Sequence, residues 1–219
     1  MRPLHLVLIG PPGSGKSTLA ERLVARWPLT PIATGKRLRA EIAAQTPIGR
    51  AIESLLEQGH FAPDSIIDQL MRTWLADLPS DQGFLLDGYP RSLSQAHTLI
   101  GMLEALERPL DAVVVLDLAE EAAIERMSGR RICEGGGESF TLHMRDSAAV
   151  ARCSERGGVL VQRDDDRSEV IRERIRVYER ETEPLIAFYS AAGLVYHVAA
   201  EGAPEGVTDR VVNLLTALR

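Results

Sequence analysis

The sequence predicts an α/β fold in which a five-stranded parallel sheet is covered by helices, a doubly wound arrangement. Three observations predict it. Short apolar runs recur without polar alternation, the pattern of strands buried on both faces. Segments of helical periodicity lie between them, as crossover connections require. The first run leads straight into GPPGSGKST (10–18), a glycine-rich turn between a strand and a helix.

The first strand is LHLVLI (4–9). Arg2 ahead of it imitates a secretory leader, but the run is too short and enters the glycine turn directly. Helix 16–26 follows, then LTPIA (29–33), the weakest strand signal. Helical periodicity covers 35–45, 48–58 and 64–77 before GFLLD (83–87), and 93–106 before DAVVVLDL (111–118). Helix 119–130 comes next. A long helix over 168–190 precedes LVYHVA (194–199), and a final helix spans 207–218. From Arg131 to Arg163 the rhythm breaks. The segment is rich in Gly, Ser, Glu and Arg, with short runs such as SFTLHM and GVLVQR, and predicts a small β-rich insertion. No internal repeat is apparent.

The chain has 219 residues, 45% of them hydrophobic, enough for one large domain or for a core domain carrying an inserted smaller one. A net charge of −6 and a pI near 5.5 argue against nucleic acid or an anionic membrane as partner. No apolar stretch approaches the length of a membrane span. Two cysteines and no secretory signal suit a reducing cytoplasm.

GPPGSGKST satisfies G-x-x-x-x-G-K-[ST] with Gly10, Gly15, Lys16 and Ser17. The glycines, Gly13 among them, let successive N–H groups of the turn point inward at phosphate oxygens. Lys16 reaches the terminal phosphates, and Ser17 is placed for Mg²⁺. The following helix adds its N-terminal dipole. A nucleoside triphosphate is the predicted ligand. In FLLDGYPRS (84–92), Asp87 ends a strand, where a carboxylate organises Mg²⁺ and its waters, and Arg91 follows at the same sheet edge.

With these motifs in place, the chain resembles the adenylate kinases of the nucleoside monophosphate kinase family, in the long-lid form. The resemblance rests on GPPGSGKST, IATGKRLR (32–39), GHFAPD (59–64), LLDGYPRSLSQA (85–96), ERMSGRRIC (125–133) and LVQRDDDRSEVIRERIRVYERETEPLI (160–186), which span residues 6 to about 200 in the family's order. It implies a P-loop core of residues 1–32, 63–130 and 164–219, a helical monophosphate-binding insert over 33–62 and a lid over 131–163. It implies reversible, Mg²⁺-assisted transfer of the γ-phosphate of ATP to AMP by a cytoplasmic monomer. ATP would lie on Gly13, Ser14, Gly15, Lys16, Ser17, Thr18, Arg126 and Arg130. AMP would be held by Thr34, Arg39, Ala62, Gly88, Arg91, Gln95, Arg163 and Arg174, with Arg39 and Arg91 on its phosphate and Gln95 on the adenine edge. Lys16, Arg91, Arg126, Arg130, Arg163 and Arg174 would act on the phosphoryl group in flight. Asp87, Asp165 and Asp166 match acidic positions used around magnesium and lid closure. A same-fold kinase for another monophosphate is the alternative reading, followed by an idle nucleotide-binding regulator.

Simpler roles stand beside these. Arg126 and Arg130, spaced i,i+4 on a predicted helix, point the same way and could form a solvated basic face. Arg174 borders an apolar stripe and needs an anionic partner, either a substrate or a carboxylate. Arg172, Arg176 and Arg180 fall away from that stripe. Ser92 and Gln95 have the spacing of a capping box, Asp166 and Glu169 likewise, and Thr34 is placed to cap a helix.

The chain departs from the family pattern in three places. Ser17 stands where the family has glycine, restoring the general P-loop hydroxyl. Lys36 replaces an aspartate at the mouth of the monophosphate site. In the lid, C-E-G-G (133–136) and C-S-E-R (153–156) keep the outline of two zinc knuckles with one cysteine each. Gly136 has no side chain and Arg156 is a cation, so zinc is not expected. A Cys133–Cys153 disulfide is conceivable but opposed by a reducing compartment. Hydrophobic packing with polar contacts is the expected replacement.

Overall fold

The computed structural model describes residues 3–137 and 139–218. Arg2 of the leader-like N-terminus and Glu138 of the lid therefore lie outside the described residues. The five apolar runs form one parallel sheet: β1 (His5–Ile9), β2 (Leu29–Ala33), β3 (Gly83–Asp87), β4 (Ala112–Asp117) and, last in the chain, β8 (Val195–Ala199). The order across the sheet is β2-β3-β1-β4-β8. β1 pairs with β3 on one side and β4 on the other, Val7 lying level with both Leu86 and Val113. Successive connections therefore diverge at the end of β1, and this opens a crevice at the carboxyl edge. Every residue of β1 and β3 is buried, which explains their unbroken apolar runs.

One face of the sheet is covered by α1 (Lys16–Val24) and α10 (Pro204–Ala217), packed on Leu6, Leu8 and Val114. The other carries α4 (Asp64–Ala76), α5 (Leu93–Ala105) and α9 (Pro184–Ser190), packed on Val7, Ile9, Leu86 and Val115. α2 (Thr34–Ala43) and α3 (Pro47–Glu57) form an antiparallel pair between β2 and α4. Thr46 caps α3 by accepting from the Gly49 N–H, and Pro47 occupies its first turn, where no backbone donor is needed.

Two expected helix spans are corrected. Helix α6 (Glu120–Ser128) stops before Arg130, which instead opens β5 (Arg130–Glu134). Gly129 allows the stop, because a Cβ there would lie 2.0 Å from the His143 ring. Arg126 and Arg130 thus stand on different elements. The helix predicted over 168–190 is broken into α8 (Ser168–Val177), a π turn over Tyr178–Thr182 and α9. The Glu183 N–H reaches back to the Tyr178 carbonyl, one residue farther than an α-helix allows, and Pro184 then restarts the helix without needing a donor.

The lid is β-rich as expected and also carries a helix. Strands β5, β6 (Phe140–His143) and β7 (Val159–Val161) form an antiparallel sheet in the order β6-β5-β7, with α7 (Ser147–Glu155) packed on it. Asp146 caps α7 by accepting from the Ala149 N–H at 2.9 Å, and the run SAAVAR has strong helix propensity. Ala149 and Cys153, four residues apart, face inward onto Cys133 and Leu142, with Phe140, Val150 and Leu160 around them. Cys133 and Cys153 are joined as a disulfide, against the expectation from compartment redox. Hydrophobic packing and polar contacts are present as expected, with Arg152 over Phe140 at 4.7 Å, but the covalent bond is added to them. Both thiols are consumed, and Gly136 and Arg156 supply no replacements, so these positions do not fit zinc.

Candidate active site

The crevice begins at the phosphate turn. Gly13 and Gly15 take φ values of 83° and 91°, and a Cβ on Gly13 would sit 2.9 Å from the Ala123 carbonyl. Ser14 is buried, while Gly15, Ser17 and Thr18 open to solvent at the start of α1. Lys16 Nζ turns back to donate to the carbonyls of Gly10 and Pro11 at 2.7 and 2.9 Å and to Ser14 Oγ at 3.2 Å. Burial lowers its pKa to about 8; Asp87 resists the shift, and Arg91, Arg174 and Arg130 reinforce it. Ser17 Oγ donates to Asp87 Oδ2 at 2.5 Å across 70 residues of sequence. A hydroxyl and a carboxylate oxygen meeting beside a phosphate turn are the donor types a hard divalent cation takes.

Arg91 is fixed from several directions. Its Nε donates to the Gly88 carbonyl at 2.8 Å, its backbone N–H to Gln95 Oε1 at 2.7 Å, and its carbonyl accepts from Thr182 Oγ1 at 2.9 Å. The guanidinium lies 4.5 Å over the Phe61 ring. A Cβ on Gly88, at φ 84°, would come within 2.8 Å of that guanidinium, so glycine is needed there. Burial lowers the Arg91 pKa, against Asp87 and Asp165. Thr182 and Phe61 were not singled out from the sequence. Thr182 is aimed by the π turn, a break that periodicity does not announce.

Two aspartates gather the remaining arginines. Arg130 grips Asp166 with two parallel bonds, Nε at 2.7 Å and Nη2 at 2.5 Å. Arg163 does the same to Asp165 at 2.8 and 2.5 Å. Arg174 Nη1 reaches the Asp165 carbonyl and carboxylate, each at 3.0 Å. The carboxylate partner weighed for Arg174 is therefore present. Asp166 is fully buried and does not cap α8, whose first residue follows Arg167. Burial opposes ionisation of Asp165, yet Arg174 and Arg163 overcome it and hold the carboxyl below its ordinary range. Arg174 is lowered to about 10, by burial first. Arg172, Arg176 and Arg180 are exposed. Arg126 stands apart, donating to the Ala200 carbonyl at 2.9 Å beyond β8.

The insert supplies the facing wall. Arg39, on α2, keeps part of its side chain in solvent, while desolvation and nearby Arg163 lower it to about 10. Lys36 is exposed on the same helix. Thr34 is buried within the first turn of α2 and makes no cap; its Oγ1 has no hydrogen-bond partner. A buried, unpartnered hydroxyl at the crevice edge suits a ligand atom. Ala62 is buried in the core cluster that also holds Leu38 and Ile67. Ser92 caps α5 by accepting from the Gln95 N–H at 3.2 Å, but the Gln95 side chain does not return the bond: it goes to Arg91 and to Asp64. The structure thus brings Lys16, Arg39, Arg91, Arg130, Arg163 and Arg174 around one cleft with Asp87, Asp165 and Asp166, more cations than carboxylates.

A phosphate turn at the sheet's switch point, an acid–hydroxyl pair beside it and an arginine-lined cleft define a P-loop enzyme that transfers phosphoryl groups. The family model for adenylate kinase matches residues 8–194. Proteins named adenylate kinase are similar over nearly the whole chain. That of Thermodesulfovibrio yellowstonii is 36% identical over 97% of this chain and 99% of its own. That of Archaeoglobus fulgidus is 35% identical over 99% and 100%, and that of Streptomyces avermitilis 38% identical over 97% of each. The chain belongs to the adenylate kinase family and is a nucleotide-binding kinase of nucleoside monophosphates. Among the described residues no helix is long and apolar enough to cross a membrane.

Proposed function

We propose that the protein moves the γ-phosphate of ATP reversibly onto AMP to give two ADP. The observation that carries this reading is the convergence of six cations from the P-loop helix, α2, the turn after β3, the lid and α8 on one cleft. Phosphoryl transfer needs little covalent help from a protein; it needs alignment and charge neutralisation in a site without water. The backbone of 13–18 cradles the triphosphate, and Lys16 leaves its carbonyl partners for the terminal phosphates. Arg39 and Arg91 hold the monophosphate, with Thr34, Ala62, Gly88 and Gln95 around its nucleoside. Arg130, Arg163 and Arg174 surround the group in flight, and Arg126 takes the outer part of ATP. Ser17 and Asp87 would hold Mg²⁺, which neutralises charge on the phosphate oxygens.

In this reading 131–163 closes as a lid and 33–62 as a second cover over a core of 1–32, 63–130 and 164–219, excluding water that would otherwise intercept the phosphoryl group. The protein is read as a cytoplasmic monomer acting on free nucleotides, without a nucleic-acid or membrane partner. A coupled assay of ATP and Mg²⁺ with a panel of monophosphates tests it. AMP is expected to be the preferred acceptor; higher kcat/KM for UMP, CMP or another acceptor, or no transfer at all, overturns the reading.

A further inference from the structure

The Gln95 side chain is buried and held at both ends of its amide. Oε1 accepts from the Arg91 backbone N–H at 2.7 Å, and Nε2 donates to Asp64 Oδ1 at 2.7 Å. The other Asp64 oxygen accepts from Ser92 Oγ at 2.8 Å, and Ser92 Oγ accepts in turn from the Gln95 backbone N–H. A carboxamide is nearly symmetric in shape, and a half-turn about its last bond exchanges donor and acceptor. Here both ends oppose that half-turn. It would set the amide NH₂ against the Arg91 N–H and the amide oxygen against a carboxylate oxygen.

A carboxamide has two N–H donors and two oxygen lone pairs, and one of each is already used. One donor and one acceptor remain for a ligand, in a fixed order. The edge of a 6-aminopurine offers a ring-nitrogen acceptor beside an amino donor. A 6-oxopurine offers the reverse, a ring N–H beside a carbonyl. A freely turning amide satisfies either edge. A pinned one satisfies only one order on a base whose phosphate is already held by arginines. We propose that Asp64 is a positioning residue that fixes the donor–acceptor order of Gln95 and so makes the acceptor site choose 6-aminopurine over 6-oxopurine monophosphates. The inference rests on the AMP reading above and deepens it: Gln95 supplies the contact, and Asp64 decides which base the contact accepts.

The test compares kcat and KM for AMP and for inosine monophosphate, which differ in the 6-position edge, at saturating ATP. Asp64→Ala removes one of the two pins. The AMP-to-IMP ratio of kcat/KM is expected to fall about tenfold, through KM for the monophosphates, with KM for ATP unchanged. Asp64→Asn keeps one acceptor oxygen of the two that Gln95 Nε2 and Ser92 Oγ use, and is expected to restore the ratio only in part. The double variant Gln95→Glu with Asp64→Asn preserves each hydrogen bond of the network but leaves only acceptors for the base. Each base edge then finds one acceptor for its donor and one repulsion for its acceptor, so the variant is expected to bring the AMP-to-IMP ratio toward unity.

Equal losses on both acceptors in Asp64→Ala, with the ratio unmoved, would mean that Asp64 merely supports the fold and would overturn the inference. Thermal melts show whether Asp64→Ala is folded; if it is not, Asp64→Asn decides, and a ratio there equal to wild type overturns it equally. A wild-type protein that does not use AMP overturns the underlying reading and the inference with it, and that outcome is visible before any variant is made.

Discussion

At the sheet edge, the cations are held by main chain and by acids contributed from distant elements. Lys16 rests on two carbonyls of its own turn, and Arg91 is tied through its backbone to α5 and the π turn. In the lid, a few apolar side chains between a short sheet and α7 form a small core closed by one covalent bond. The cleft sits on a sheet buried on both faces; the lid has too little apolar interior to hold itself. Rigidity near the chemistry comes from burial, and rigidity in the lid comes from a staple. The two regions should therefore fail differently, the cleft in rate and the lid in stability.

The largest separation is expected from Lys16→Ala and Arg91→Ala. Each removes a cation aimed at developing phosphate charge, so transfer should fall by about 10³-fold or more while the melting temperature stays close to wild type. Steady-state assays beside thermal melts check this. A large loss of stability with only modest loss of kcat would show the cleft to be as dependent on side chains for its fold as the lid.

Asp166→Asn probes the boundary between the regions. The fully buried Asp166 anchors Arg130 at the base of the lid through two bonds, and an amide retains only one acceptor oxygen. Arg130 should lose its orientation, lowering kcat by about 10²-fold with KM for ATP less affected. Unchanged kcat would mean that the Arg130–Asp166 pair is structural alone.

How much of this was legible in the sequence follows the same division. The five strands, the phosphate turn and the Asp87 and Arg91 turn are local signals: unbroken apolar runs, glycines at fixed offsets, an acid closing a strand. Thr34 and Gln95 could be placed by motif, but whether they capped helices depended on partners far along the chain. The end of α6 before Arg130 turns on Gly129 packing against His143, a residue of another strand that helical periodicity does not reveal. α7 carries local signals of its own, Asp146 at its cap followed by a run of alanines, within a segment whose overall composition reads as β-rich. The disulfide depends on α7, since that helix turns Cys153 inward to Cys133. Compartment redox carries no information about that geometry.

Cys133→Ser with Cys153→Ser, or exhaustive reduction, should act on the lid alone. The bond closes a loop with a sequence separation of 20, and its loss should destabilise the lid by about 3 kcal/mol. Amide exchange should rise in β5, β6 and α7 while the parallel sheet keeps its protection, and kcat should fall less than in the cleft variants. Exchange that rises equally in β1 and β3 would break the comparison, because it would make the lid and the sheet one cooperative unit.

The smallest effect expected is on pH dependence, and it belongs to the cleft. Burial holds Lys16 at about 8 in the free protein, below its ordinary value of 10.5. Unfolding restores the ordinary value, so between these limits the unfolded chain binds more protons than the folded one. The contribution of Lys16 to stability is therefore fullest above the unfolded value and is lost as pH falls through about 8. A bound triphosphate reverses the balance, since its charge favours the ammonium form and raises the pKa of Lys16 again. Binding of ATP should thus take up a proton fraction near pH 8, and affinity should weaken as pH rises beyond it, by at most about tenfold per unit. Titration calorimetry in buffers of different ionisation enthalpy reads this uptake directly. Lys16→Ala should abolish it, whereas the lid double variant, which leaves every cleft cation in place, should keep it. Uptake that survives Lys16→Ala would assign the proton to another group and remove the link between burial of this lysine and nucleotide affinity.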